Sequence, residues 1–345
     1  MATNHLLKGV LAILSVYSFL IICIISNKSN VQHFYTRSEK GDNGTEKRTA
    51  DFNMTRLVVG VNNSNFSRHT ELSLSEKFTR HINQQALVKF KQKIVKYKRF
   101  DAKLGILLYD GNLHSDMFKN WYNRKTRPKE SPPLGTYDTC AIVGNSGVLK
   151  HSHCGKEIDE HDFVIRNNMA PTEGFENDVG TKTSLMSINS ALVSQINMCL
   201  ENATCLPTYL KKFKSLTKNT ILWFSKVFSP SSRQKKYYTL SEFVKNVSLP
   251  LRIGFPTGKM STTEFWKIKR ASSGLMMFSV AATFCRNITL YGFYPYSTSP
   301  SGRQLTYHYY DNFSFKNSHD MNSEHKTLTD LNKTGVIRVI TDDCN

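Results

Sequence analysis

The sequence is short of acids and lacks several motifs that would fix its chemistry at once. Against 46 Lys and Arg it holds 27 Asp and Glu, a formal net charge of +19, so its field attracts anions: nucleic acid, a phosphorylated small molecule, acidic glycan or a membrane surface. No two cysteines stand at the close C-x-x-C type of spacing, and no H-E-x-x-H pattern occurs, which argues against the common zinc sites. The dinucleotide pattern G-x-G-x-x-G is absent, as are internal repeats and RNA- or DNA-binding motifs, so nucleic acid is not an expected partner. What is present is an ordinary globular composition, 39% apolar and 21% charged over 345 residues, enough for one large domain with appendages.

One uncharged apolar run stands at residues 10–25, and Leu6 and Leu7 across Lys8 bring it close to bilayer-spanning length. No small-residue cleavage site follows it clearly. Residues 9–25 therefore read as an uncleaved signal-anchor behind a cytosolic tail of residues 1–8. Lys8 before the span and Lys28 and Arg37 after it barely discriminate orientation. Sequons at Asn27, Asn43, Asn53, Asn62, Asn65, Asn202, Asn246, Asn287, Asn312 and Asn332 favour a luminal chain. Apart from Cys23 in the span, Cys140, Cys154, Cys199, Cys205, Cys285 and Cys344 form an even set, a framework of three bridges in an oxidising compartment. Proximity favours Cys199 with Cys205; spacing alone does not pair the other four. Residues 26–69, rich in Asn, Ser, Thr, Lys and Arg, cannot bury a core and read as a stem, leaving 70–345 as the folded domain.

Apolar residues at helical intervals over 70–98, from Leu74 through Ile94 to Tyr97, predict one amphipathic helix. Residues 101–139 read as a loop-rich approach. Beyond them strands are expected at 140–143, 163–166, 184–188, 220–224 and 288–293, and helices at 156–160, 207–213, 240–245 and 275–284. That alternation predicts an α/β domain with a largely parallel sheet and a ligand at the strand carboxyl ends.

Four segments hold candidate chemistry. Cys140-Ala-Ile-Val-Gly-Asn-Ser-Gly147 is a buried-strand pattern stopped by a glycine-bracketed turn, where amides can face an anion, although a plain turn is the simpler reading of these residues alone. Ser272-Ser273-Gly274 opens a strongly apolar helix, either as an anion-facing N-terminus or as an ordinary cap. His308-Tyr-Tyr-Asp311 and His319-Asp-Met-Asn-Ser-Glu324 put two histidines beside carboxylates, suited to taking a proton from a hydroxyl. His319, Asp320 and Glu324 as zinc ligands are the rival arrangement.

In order and separation these segments resemble the four sialyl motifs of eukaryotic sialyltransferases. Residues 140–183, with C-A-I-V-G-N-S-G, D-F-V-I-R-N-N and D-V-G-T-K-T, look like the large motif, and 272–296 like the small one. H-Y-Y-D at His308 and H-x-x-x-x-E at His319 and Glu324 look like motifs III and VS. The D-F-V-x-R and G-F-x-P details resemble the α2,8-sialyltransferase branch. The resemblance implies a single Rossmann-like (GT-A variant) glycosyltransferase domain that transfers sialic acid from CMP-sialic acid to a sialylated glycan on glycolipid or glycoprotein. It implies metal-independent, inverting chemistry in a single-pass type II protein of the Golgi membrane, with a homodimer as an open partner.

Residue by residue, Asn145, Asn168, Ser272, Ser273, Gly274, Tyr294, Tyr307 and His308 would bind the donor. His319 would be the general base, and His308 would assist the departing phosphate. The family's disulfides imply Cys140–Cys285 and Cys154–Cys344, which leaves Cys199–Cys205. The chain departs from relatives at Tyr294, commonly Trp, at Ser273, commonly Thr, and at Asn167. Alternatives are an α2,3- or α2,6-sialyltransferase and a non-catalytic, membrane-anchored glycan-binding protein. The resemblance also implies no long polysialyl product, since relatives that make one carry a long basic tract just before the small motif, whereas residues 252–270 here hold only scattered positive charge broken by Glu264.

Overall fold

An eight-stranded sheet carries the fold. In chain order its strands are β1 (Ile106–Tyr109), β2 (Tyr137–Val143), β3 (Phe163–Asn167), β4 (Leu185–Ile188), β5 (Ile221–Phe224), β6 (Arg252–Pro256), β7 (Cys285–Tyr291) and β8 (Arg338–Ile340). Across the sheet the order is β1-β6-β5-β4-β3-β2-β7-β8. Every neighbouring pair is parallel except β1 with β6, an antiparallel edge. The chain steps from β2 outward to β6, then returns to lay β7 on the other side of β2. The space beyond the carboxyl ends of β2 and β7 is therefore the topological switch point, where open α/β sheets bind ligands. This computed structural model describes residues 74–79, 81–96, 106–109, 134–202, 204–216, 218–224, 231–256, 262–314 and 319–344, all within one compact unit, His69–Asn345. The expected tail, anchor and stem lie outside the described residues, and among those described no helix is long and apolar enough to cross a membrane.

Alternation along the strands feeds two faces. Cys140 and Ile142 of β2 pack with α2 (Gln84–Lys96) and α9 (Ser273–Ala281). Ala141 and Val143 point the other way, onto α3 (Gly155–Glu160) through Ile158. Toward β4–β6 that second face is covered by α5 (Ser190–Glu201), α6 (Leu206–Lys214) and α7 (Ser231–Asn246), through Ile196, Phe213 and Leu240. In α9 every residue from Leu275 to Ala281 is buried; a helix apolar on all sides has no solvent face to give. Each large side chain so removed from water contributes roughly 1.5–3 kcal/mol.

The strands read from the sequence are all present with shifted ends. β7 stops at Tyr291, two residues early, because Gly292 turns the chain with φ +70°. The single helix expected over 70–98 is two, α1 (Leu74–Thr79) and α2. Asn83 separates them by capping α2, its Oδ1 accepting from the Ala86 amide at 3.1 Å. The stretch taken as a loop-rich approach contains β1 and the start of β2. Also unread were α4 (Glu176–Val179), α5, β6, α8 (Thr262–Trp266), α10 (Met321–Lys333) and β8. Gly254 and Pro256 obscure β6, and α10 offers few apolar residues to set a period.

The three expected disulfides occur: Cys140–Cys285, Cys154–Cys344 and Cys199–Cys205, with Cα separations of 6.0, 4.8 and 5.3 Å. The first ties β2 to β7 below the switch point. The second ties the C-terminal segment beside α3.

Candidate active site

The loops leaving β2 and β7 touch at the switch point. Gly144 donates its amide to the Tyr291 carbonyl at 2.7 Å, and the Ser146 amide reaches the Gly292 carbonyl at 3.3 Å. A Cβ on Gly144 would stand 2.4 Å from the Gly292 oxygen, so glycine is what permits this approach. Ser146 Oγ donates to the Tyr294 carbonyl at 2.6 Å, and Ser146 bridges to His308. Above these loops lies a cavity of about 630 Å³, lined by Asn145, Asn168, Ser272, Ser273, Gly274, Tyr294, Tyr307, His308 and His319. Every donor-binding and catalytic candidate from the sequence is therefore on one cleft wall or another.

The two histidines differ in what fixes them. His319 Nδ1 lies 2.8 Å from the Arg270 carbonyl. A carbonyl can only accept, so Nδ1 carries the proton of the neutral ring and Nε2 keeps a lone pair. His308 Nδ1 lies 2.7 Å from Asp311 Oδ2, and its ring stacks on Tyr310 at 5.0 Å with a 9° interplanar angle. Carboxylate and stacking together hold that imidazole in one orientation. Arg270 takes φ +56°, as does Lys267; a non-glycine residue there costs roughly 1–2 kcal/mol, and this turn carries the carbonyl that orients His319.

At the start of α9, Ser272 Oγ accepts from the Leu275 amide at 3.1 Å, the expected cap. Its other groups are spent on Glu324. The Ser272 amide reaches Glu324 Oε1 and its hydroxyl reaches Oε2, both at 2.6 Å. In this structure the Ser272 amide and hydroxyl thus face Glu324, while the residue itself still lines the cleft. Ser273 and Gly274, one step into the helix, hold the amides that the helix itself leaves unpaired. Burial holds the Glu324 carboxyl above its usual range, against the pull of the Ser272 hydrogen bonds.

The set weighed for zinc is otherwise engaged: His319 by Arg270, Glu324 by Ser272, and Asp320 as the cap of α10, accepting from the Ser323 amide at 3.3 Å. Asn168 is left-handed, with φ +58°. Its amide donates to the Ser187 carbonyl at 2.7 Å and its Oδ1 accepts from the Asn189 amide at 3.0 Å, which leaves Nδ2 for a ligand.

The sequence profile of glycosyltransferase family 29 (sialyltransferase) matches residues 81–336. The chain belongs to that family. An alpha-N-acetylneuraminide alpha-2,8-sialyltransferase of Xenopus laevis is 32% identical over 248 residues, 69% of this chain and 68% of its own. The protein of that name in Xenopus tropicalis is 32% identical over 254 residues, 69% of this chain and 70% of its own. A crystal structure of a mammalian sialyltransferase in complex with Gal-beta-1-3GalNAc-ortho-nitrophenol covers 76% of this chain and 97% of its own, at 21% identity and a TM-score of 0.45.

In this sialyltransferase part of each motif is structural. Arg166 of D-F-V-I-R is 2% exposed. It donates to the carbonyls of Val179 at 2.6 Å and Lys182 at 3.0 Å and to Thr183 Oγ1 at 3.2 Å, so it shapes the G-T-K-T turn and does not line the cleft; burial lowers its pKa to about 10. Tyr309 of H-Y-Y-D donates to the Pro171 carbonyl at 2.6 Å and, through its amide, to the Asn145 carbonyl at 3.0 Å. It docks the segment that carries His308. Cleft residues not foreseen from the sequence are Asn189, Lys269, Arg270, Phe293 and His325. Asn189 caps α5, with Oδ1 accepting from the Leu192 amide at 2.8 Å, and a cap signature was its only sequence signal.

Proposed function

We propose that this chain transfers sialic acid from CMP-sialic acid to a hydroxyl of a glycan that already carries sialic acid, forming an α2,8 linkage. The observation that carries the reading is the tethering of His319 Nδ1 by the Arg270 carbonyl at 2.8 Å, which supports Nε2 of this cleft residue as the proton acceptor. Family membership and the activity for which the two Xenopus relatives are named support the reaction and the linkage. The unpaired amides at Ser273 and Gly274, with Asn145 and Asn168, suit a phosphate and its nucleoside. Tyr294 and Tyr307 flank them.

In the reaction the acceptor hydroxyl gives its proton to His319 Nε2 as its oxygen bonds to the anomeric carbon. The bond to the CMP phosphate breaks on the opposite face, in a single inverting displacement. His308, held by Asp311, meets the departing phosphate, where a donor offsets growing negative charge. No step calls on a metal ion, and the fold reading is a Rossmann-like GT-A variant. The apolar run at residues 10–25 and the sequons support a Golgi type II membrane protein with residues 70–345 luminal.

The test is incubation of the full chain in detergent with CMP-sialic acid and sialylated glycolipid and glycoprotein acceptors, with and without EDTA. α2,8-linked product that survives EDTA is expected. CMP release without product, or an α2,3 or α2,6 linkage, would overturn the linkage, and loss in EDTA would overturn the metal-free step.

A further inference from the structure

His325 is a third histidine on the cleft wall, and no motif claims it. It lies half-buried on α10, next to the Glu324 that clamps this helix to α9. Its Nδ1 is 3.2 Å from the Phe293 carbonyl, so Nδ1 carries the proton of the neutral ring and Nε2 offers a lone pair. Nε2 has no partner among the described residues. The rings of Tyr294 and Tyr296 stand edge-on to the imidazole, at 5.5 and 5.2 Å and both at 89°, and meet each other at 5.1 Å. The Tyr294 hydroxyl is spent on the Thr298 carbonyl at 2.9 Å, so what Tyr294 presents is its ring. Tyr296 is 44% exposed, unusual for so large an apolar surface.

A fixed hydrogen-bond acceptor among aromatic rings at an open rim suits a sugar. Its C–H face packs on a ring while a hydroxyl donates to the acceptor atom. We infer that His325 and Tyr296 form a subsite for a pyranose ring of the acceptor glycan, with His325 Nε2 accepting a hydrogen bond from one of its hydroxyls. The inference rests on the sialyltransferase reading above. Acceptor is preferred to donor because the anion-facing amides lie at the start of the buried helix α9, whereas Tyr296 is at the solvent edge. His325 also sits in the first turns of α10, whose cap Asp320 directly follows His319, the residue that the acceptor hydroxyl must reach.

The test uses the full chain in detergent, initial rates, and acceptors from which one hydroxyl at a time has been removed. For His325→Phe and His325→Asn the KM for acceptor should rise about tenfold, the worth of one hydrogen bond, while kcat and the KM for CMP-sialic acid stay within about twofold. His325→Gln, whose amide oxygen reaches the place of Nε2, should recover most of the loss. One deoxy acceptor should show the same penalty with the wild-type enzyme and no further penalty with His325→Phe; a purely structural histidine would not give that coupling. Tyr296→Ala, at an exposed position that leaves folding intact, should raise the acceptor KM several-fold. An unchanged acceptor KM, a rise confined to CMP-sialic acid, or the absence of any coupled deoxy acceptor would overturn the subsite. A wild-type chain that transfers to no acceptor would sink the reading beneath it as well, whereas normal wild-type turnover with unaffected variants would count against the subsite alone.

Discussion

Glu324 closes the start of α9 onto α10 by taking both the amide and the hydroxyl of Ser272, each at 2.6 Å and each on its own oxygen. Because Ser272 Oγ also caps α9, one carboxylate sets the helix start that faces the cleft. Glu324→Leu would leave the Ser272 amide buried without a partner, at a cost of about 1–3 kcal/mol. Glu324→Gln should cost less than half of that, since the amide oxygen still accepts from the backbone and the serine hydroxyl can reverse its role. Urea unfolding of the two variants measures the difference, and equal losses would contradict the clamp.

The long disulfides should matter more than the short one. Cys154–Cys344 and Cys140–Cys285 close separations of 190 and 145 residues, against 6 for Cys199–Cys205. Chain entropy assigns roughly 5 kcal/mol to either long bridge and roughly 2 to the short one. Paired Cys→Ser variants should therefore unfold at clearly lower denaturant for Cys154 with Cys344 than for Cys199 with Cys205. The same midpoint for both pairs would refute this ranking.

His161 makes stability fall in mild acid. It is 1% exposed, packed on Phe78 at 3.9 Å, with Nε2 2.9 Å from the Tyr291 hydroxyl, which donates onward to Glu157 at 2.7 Å. Burial, reinforced by Arg338, Lys182 and Lys77, lowers its pKa from 6.5 to about 3. Between those values the unfolded chain binds the extra proton. The contribution is thus whole above pH 6.5 and lost as pH falls toward 3, with a slope of at most about 1.4 kcal/mol per pH unit. Unfolding curves across this window should flatten in His161→Phe; an unchanged slope would rule the histidine out as the source.

Lys269 lines the cleft and has no hydrogen bond or ion pair with any other described residue. Lys269→Gln should raise KM several-fold for an acceptor bearing a carboxylate, more at low salt than at high salt, and leave a neutral acceptor analogue unaffected. Kinetics at two salt concentrations decide this, and an equal rise for both acceptors would remove Lys269 from charge recognition.

The cleft was legible in the sequence wherever its residues lie in contiguous motifs at the ends of strands. Gly144 to Ser146 follow a β-patterned run whose end already locates a strand carboxyl end, whereas Gly292 and Phe293 read as the last residues of the β7 strand. His325 and Lys269 gave no such signal. Whether they reach the cleft depends on which side of α10 faces α9 and on the left-handed turn at Lys267 and Arg270, both tertiary facts. Ser272 shows the limit from the other direction: its cap was readable, but its partner Glu324 lies 52 residues away. In the fold, β6 was missed because Gly254 and Pro256 interrupt its five residues, and β1 offers only the four residues Ile106–Tyr109 within a segment that reads as loop.

In the proposed reaction His319 Nε2 takes the proton of the acceptor hydroxyl while the Arg270 carbonyl holds Nδ1. Single-turnover and steady-state rates of His319→Ala, with saturating CMP-sialic acid and sialylated acceptor, test it most directly. The expected result is a loss of about 10²–10⁴ in rate with both KM values within about threefold. A variant that turned over at the wild-type rate would contradict it.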